Sequence, residues 1–375
     1  MRSALLLAAV LLLAGCSQAQ APERALPGFD TNTARRTIEL SELRAGGPPK
    51  DGIPAIDAPD FITADRASVW LADREPVVLL RLRGEAKIYP LQILTWHEIA
   101  NDSLGGEPVA VTFCPLCYSA VAVRRTVETP DGPRVLDFGV SGLLRHSDLV
   151  MFDRQTETLW QQYTGEALVG DLVGSTLDVL PAQIVSFAQA RAAEPDAPVL
   201  SRKTGHRRDY GRNPYVGYDD VAQSPILYDG PPDGRLAPMA RVVAVEAGGA
   251  FRAYPADLTR ERGVVEDRLG GVEIVVFHAG DTATALGEDR IADARAVGSA
   301  GAFRRTVRVD GRPATLTFRR EGGAFVDAET GSRWDATGMA ISGSLAGTRL
   351  DLLPTHDTFA FAWFAFRPET TVWEE

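Results

Sequence analysis

What most restricts the fold of this chain is that it repeats part of its own sequence. Residues 80–90 align with 245–255 around a shared Gly and Tyr-Pro, and Leu104-Gly105-Gly106 matches Leu269-Gly270-Gly271 at the same offset of 165. Further on, Asp153–Trp160 matches Asp327–Trp334 at an offset of 174. Gly165, Gly170, Gly174, Leu177, Asp178 and Pro181 then match Gly338, Gly343, Gly347, Leu350, Asp351 and Pro354 at 173. So many coincidences in order imply two copies of one ancestral unit, with the drift absorbed in loops. The expected division is a first repeat over 67–198, a Pro-, Gly- and Tyr-rich connector over 199–239, and a second repeat over 240–375.

Within a unit the local signals are those of short strands. Residues 76–82, 109–113, 135–140, 149–152 and 158–163 are apolar or β-branched runs bounded by turn formers. Pro90 suits the first turn of a helix, and the apolar residues after it predict one that Gly105-Gly106 ends. Further helices are expected after each Leu-Pro pair, over Ala182–Ala193 and His356–Phe366. The fold class is therefore α+β, mainly β: two internally duplicated β-rich domains, as partly open barrels packed about a pseudo-twofold axis.

The N-terminus limits where such a chain works. Ala4–Ala14 is too short to span a bilayer but fits the apolar region of a signal peptide, and Leu13-Ala14-Gly15-Cys16 is a lipobox. Residues 1–16 are thus expected to be the lipoprotein signal, with Cys16 acylated and the lipid bilayer as its partner. Residues 17–66, poor in periodicity, are expected to form a flexible tether. Ser17 after the lipidated cysteine points to the outer membrane, facing the periplasm, in a cell with two membranes. Once Arg2 is removed the balance is 38 basic against 50 acidic residues, −12, which argues against nucleic acid as a partner.

With Cys16 lipidated, only Cys114 and Cys117 remain, in Phe113-Cys114-Pro115-Leu116-Cys117-Tyr118 at the end of a predicted strand. Three readings stand side by side. A plain disulfide is the default outside the cell, but a loop this short gains only about 2 kcal/mol from closure. A thiol-disulfide pair has suitable spacing, although the flanks lack a thioredoxin-like βαβ pattern. A soft metal ion, copper or zinc, is the third, and zinc requires further ligands. His97 is the next candidate ligand, although a helix antiparallel to the following strand would leave it roughly 12 Å short of Cys114.

Aligning Val111–Cys114 with Val275–His278 sets His278 against Cys114 and Asp281 against Cys117, which reads either as a second, harder metal site or, the preferred reading, as a copy that has lost the site and become structural. Ser141, Asp137, Asp153 and Glu157 accompany no nucleophile elbow, His-Glu-x-x-His or phosphate loop, and 153–158 reads as a hairpin turn.

Three stretches, Thr95–Asp102, Gly105–Cys117 and Phe138–Leu144, resemble the prokaryotic family called domain of unknown function 3179. Ser147–Trp160, Arg208–Tyr215 and Phe361–Phe366 extend the likeness over nearly all of the folded chain. The resemblance implies importance for His97, Cys114 and Cys117 without naming a reaction. The chain departs from the pattern at Tyr118, usually a small residue such as Gly, and at His146, usually Asn.

The leading expectation is an extracytoplasmic lipoprotein that holds a soft metal ion through Cys114, Cys117 and His97. The alternatives are a thiol-disulfide redox protein, or a non-catalytic envelope module whose Tyr210–Tyr228 segment contacts a protein or glycan.

Overall fold

Two-residue turns set the layout of each half. Arg83-Gly84 and Gly105-Gly106 have positive φ at both positions, the left-handed pair that a tight hairpin between twisted strands requires. In the first half they join β1 (Pro76–Leu82) to β2 (Glu85–Pro90), and β3 (Ile99–Leu104) to β4 (Glu107–Cys114). Between the hairpins lies helix α1 (Leu91–His97). It is followed by β5 (Ser119–Arg124), the long hairpin of β6 (Phe138–Arg145) and β7 (Asp148–Asp153), β8 (Ala182–Ser186) and α2 (Phe187–Ala193). This computed structural model describes residues 26–129 and 131–374. The signal segment and Cys16 lie outside the described residues.

The second half repeats the element order. β9 (Arg241–Ala247) and β10 (Ala250–Pro255) turn at Gly248-Gly249, and α3 (Ala256–Arg262) follows. β11 (Val264–Leu269) and β12 (Val272–Ala279) turn at Gly270-Gly271. Then come β13 (Ser299–Arg304), the short hairpin of β14 (Phe318–Glu321) and β15 (Ala324–Asp327), β16 (Thr355–Phe359) and α4 (Ala360–Phe366). Strand neighbours recur as well: β8-β1-β2 against β16-β9-β10, and β5-β4-β3 against β13-β12-β11. The fold is mainly β, as expected, but its sheets are open and none closes into a barrel.

Several boundaries differ from those read off the sequence. The helix after Pro90 stops at His97, and the residues before Gly105-Gly106 form β3, because the glycine pair makes a hairpin turn rather than a helix end. Ala182–Ser186 is a strand beside β1, and α2 starts only where the Ser186 and Gln189 side chains cap it reciprocally. Likewise Thr355–Phe359 is a strand beside β9. The tether also shortens: Arg44–Ala45 pairs with β6, Ile56 bridges Ala100, and Ile38 is buried with Val150 and Leu168. Apolar residues spaced through this low-complexity stretch anchor it to the first half.

The largest hydrophobic cluster is not confined to one half. It joins Val78, Tyr89, Leu94, Phe113 and Cys117 to Val242, Ala244, Leu286 and Phe359–Phe364. Burial of this shared core welds the halves along the faces that carry β4, β9 and α4. No helix among the described residues is long and apolar enough to cross a membrane.

Candidate metal centre

Cys114 ends β4, and the chain turns through 115–118 before Ser119 pairs back across from Cys114. Tyr118 sits in this turn at φ 54°, a left-handed conformation that favours glycine. Its ring is buried among Phe113, Phe359 and the Arg241 guanidinium, and its hydroxyl accepts from the Ala285 N–H at 3.1 Å. The Cys117 carbonyl accepts from Phe359 N–H at 3.1 Å and Thr358 Oγ1 at 2.8 Å. Both braces come from the second half, so the turn is held between the halves.

A third donor arrives from the β6–β7 hairpin. Its turn places His146 and Ser147 at φ 51° and 70° and delivers Asp148 as the first residue of β7. The Cys114 and Cys117 sulfurs and an Asp148 carboxylate oxygen all lie within 4.8 Å of one another, and all three residues are buried. The Cys114 thiol donates to the Ser147 carbonyl at 3.8 Å. Asp148 Oδ2 accepts from Gln161 Nε2 at 2.6 Å and Tyr163 N–H at 3.1 Å, whereas Oδ1 meets no donor at hydrogen-bond geometry.

Electrostatics follow from burial. Loss of solvent pushes the Asp148 carboxyl up to about 7, against the pull of Gln161, the two thiols and Tyr163 N–H. The same cause raises Cys114, and raises Cys117 well above an ordinary thiol. Glu98, 7% exposed, is pushed up to about 8 by burial and then by the charge of Asp148. Cys114, Cys117 and Asp148 thus share a dry region in which none ionises cheaply, unless a cation joins them. Tyr118, which follows Cys117, and His146 and Ser147, which precede Asp148, all have positive φ. Strained backbone of this kind persists where the surroundings enforce it, and gathers at functional sites.

The structure makes Asp148, not His97, the third member of the cluster. His97 Nδ1 lies 2.7 Å from the Pro54 carbonyl, so it carries the proton, and Nε2 accepts from the Tyr210 hydroxyl at 2.6 Å. Burial lowers its pKa to about 4, so it is a neutral fastener between the N-terminal segment and the connector. His146 faces Asp229 at 3.4 Å and packs edge-on to Tyr228. The connector tyrosines are engaged within the chain: Tyr210 on His97, Tyr218 donating to the Leu116 carbonyl at 3.0 Å, and Tyr228 against Phe361. This segment lies over the Cys-Pro-Leu-Cys turn.

Strand pairing also corrects the alignment of the second half. Ile99 pairs with Thr112 and Val264 with Phe277, so Ala279 corresponds to Cys114 and His278 to Phe113. Cys114 pairs with Ser119 and Ala279 with Ser299, which confirms the register. His278 is 2.8 Å from both Thr259 Oγ1 and the Val297 carbonyl, a structural histidine. Asp153 forms the expected turn, accepting from Thr156 N–H and, at 2.9 Å, Trp160 Nε1.

Asp148 was missed by motif reading because it has no metal-ligand spacing to the cysteines. A signal existed in the repeat: at the offset of 174 its counterpart is Gly322, a loss parallel to that of the thiols. A family model described as "Protein of unknown function (DUF3179)" matches residues 50–370. No curated protein and no solved structure matches the chain.

Proposed function

The chain belongs to the DUF3179 family, whose description carries no activity, and from the site itself we propose that Cys114, Cys117 and Asp148 hold one zinc-class metal ion. The observation that carries this reading is the convergence of three buried donors, from two separate hairpins, to within 4.8 Å. A tetrahedral zinc with metal–sulfur bonds of about 2.3 Å sets its thiolates about 3.8 Å apart, so closure needs at most ~1 Å of movement. An oxygen donor beside two sulfurs suits zinc better than Cu(I), which is satisfied by soft ligands alone. Burial disfavours thiol-disulfide exchange, because an exchanging thiol needs access and a low pKa. In this reading the protein is a lipoprotein anchored through Cys16 in the cell envelope, and the metal site serves binding rather than thiol exchange.

Elemental analysis of protein purified without reductant or chelator tests the proposal. About one zinc per chain is expected, lost on Cys114→Ser/Cys117→Ser replacement and unchanged by His278→Ala. Cobalt substitution should add thiolate-to-metal absorption that the serine variant lacks. Copper in place of zinc would overturn the choice of ion. A metal-free chain whose disulfide exchanges with glutathione would overturn the proposal in favour of a redox role.

A further inference from the structure

Three donors hold an ion only if the donors are themselves held, and here they come from different sheets. β4 and β5 belong to one sheet, β6 and β7 to another. Ladder hydrogen bonds among the described residues therefore do not tie Asp148 to Cys114 and Cys117. Two consecutive side chains, Gln161 and Gln162, cross this gap.

Gln161 ends a short strand, Leu159–Gln161, that pairs with β7 and sets Gln161 opposite Val150. Side chains alternate across a sheet, so Gln161 shares the face of Asp148 and Gln162 turns to the other. Gln161 Nε2 donates to Asp148 Oδ2 at 2.6 Å, where the Tyr163 N–H also arrives at 3.1 Å. Both donors go to one oxygen, and Oδ1 is left without a partner. Gln162 Nε2 donates to Thr112 Oγ1 at 2.8 Å and to the Ser119 carbonyl at 3.2 Å, and its Oε1 accepts from Ser119 Oγ at 3.0 Å. Thr112 lies two residues before Cys114 on β4, and Ser119 pairs with Cys114 across the turn.

Gln161, Gln162 and Ser119 are wholly buried. Burying an amide carries a cost that an apolar residue avoids, and Gln161 Oε1 finds no donor to offset it. The second half does without the pair. After the shared Trp, Gln161 and Gln162 align with Asp335 and Ala336. The register is set by the Gln161 N–H, which donates to the Glu166 carbonyl, and the Asp335 N–H, which donates to that of Met339, both at 2.9 Å. Asp335 closes its own turn, accepting from the N–H groups of Thr337 and Met339, and Ala336 has no amide to offer. The scaffold thus forms without a glutamine pair in the half that has no thiols.

We infer that Gln161 and Gln162 are positioning residues that clamp the two ligand-bearing hairpins together and present Asp148 to the ion through Oδ1 alone. The inference rests on the metal reading and deepens it. With Oδ2 taken by two N–H donors, the carboxylate binds as a one-oxygen ligand, and the same donors favour its charged form. Gln162 fixes the strand ends that carry Cys114. Outer partners of this kind orient metal ligands and raise affinity without touching the ion.

Full-length Gln161→Met and Gln162→Met, which keep the bulk of each side chain without its amide, test the clamp. Each should weaken zinc binding by about 10- to 100-fold, the range for outer partners of metal ligands. Infrared difference spectra between zinc-loaded and metal-free protein, with Asp148→Asn as the blank, read the carboxylate itself. The wild type should show the wide separation of carboxylate bands that one-oxygen binding gives. Gln161→Met frees Oδ2 and should narrow that separation. Gln162→Met should leave it as in the wild type, a difference that a general loss of stability does not produce. Gln161→Asn keeps the amide but draws it back by one methylene, and it carries the test, with the same loss and narrowing, if the methionine variant misfolds. Wild-type zinc affinity and unchanged carboxylate bands in folded Gln161 and Gln162 variants would overturn the clamp and leave the three-residue site standing. A wild type that takes up no zinc would overturn the metal reading and the clamp with it.

Discussion

The two halves of the chain keep the same scaffold and differ at one spot. In the first, Tyr89 donates to Asp102 at 2.7 Å; in the second, Tyr254 donates to Asp267 at 2.6 Å. Trp160 donates to Asp153, and Trp334 to Asp327, both at 2.9 Å. Against this background Cys114, Glu98 and Asp148 correspond to Ala279, Gly263 and Gly322. The backbone around them changes too. The turn at 115–118 becomes a loop over 280–298, and the β6–β7 hairpin, which reaches Arg145 and Asp148, is cut back to Glu321 and Ala324 in β14–β15. Hydrogen bonds that serve folding are retained in both halves, whereas the acids of the candidate site occur in one. The comparison therefore separates residues that hold the fold from residues that do something else.

The largest expected contrast is in the response to pH. Asp148 and Glu98 titrate in the folded protein near 7 and 8, against ordinary values of 3.8 and 4.5 in the unfolded chain. Between those limits the folded state holds more protons, so stability of the metal-free protein falls as pH rises from about 4 to about 8. Each group contributes about 1.4 kcal/mol per pH unit while it titrates, a few kcal/mol over the window. Zinc uptake should strengthen across the same range, because the ion displaces the protons of Asp148 and of the two thiols. Urea midpoints with chelator and with zinc, at several pH values, measure both trends. Asp148→Asn should flatten much of the slope, and a slope that persists in Asp148→Asn/Glu98→Gln would break the contrast between the halves.

How much of this could be read in the sequence depends on whether a feature is local. The mainly β class and the Asp153 turn were legible, because apolar strand runs and the Asp-x-x-Thr pattern act over a few residues. Gly105-Gly106 was misread as a helix end, since a glycine pair marks a hairpin or a helix stop equally well without knowledge of the strand that follows. The cysteine pair was legible from its spacing. Asp148 was not, because its approach depends on how far the β6–β7 hairpin extends, a tertiary matter. His97 looked like a ligand by composition, yet Pro54 and Tyr210, 43 and 113 residues away in sequence, claim both its nitrogens.

A smaller effect tests whether the retained pairs are structural in both halves. Asp153→Ala and Asp327→Ala each strand a buried indole N–H and release the turn at Thr156 or Thr330. Each should cost about 1–3 kcal/mol, and two sites in separate sheets should add. Thermal or urea unfolding of the single and double variants gives these values. Zinc content should stay at about one per chain in all three. Loss of zinc in Asp153→Ala alone would move Asp153 from the scaffold to the site.

The smallest effect concerns what the second half does for the first. Thr358 Oγ1 donates to the Cys117 carbonyl at 2.8 Å, fully buried, from a strand that pairs with β9. Thr358→Val keeps the shape and removes the donor, leaving the carbonyl with the Phe359 N–H alone. The expected cost is about 1 kcal/mol in unfolding, with a few-fold loss of zinc affinity as the turn carrying Cys117 loosens. A drop in stability without any change in zinc binding would mean that the brace serves the shared core only. A drop in both would give the half without ligands a defined part in the site, that of fixing the turn from which one sulfur is presented.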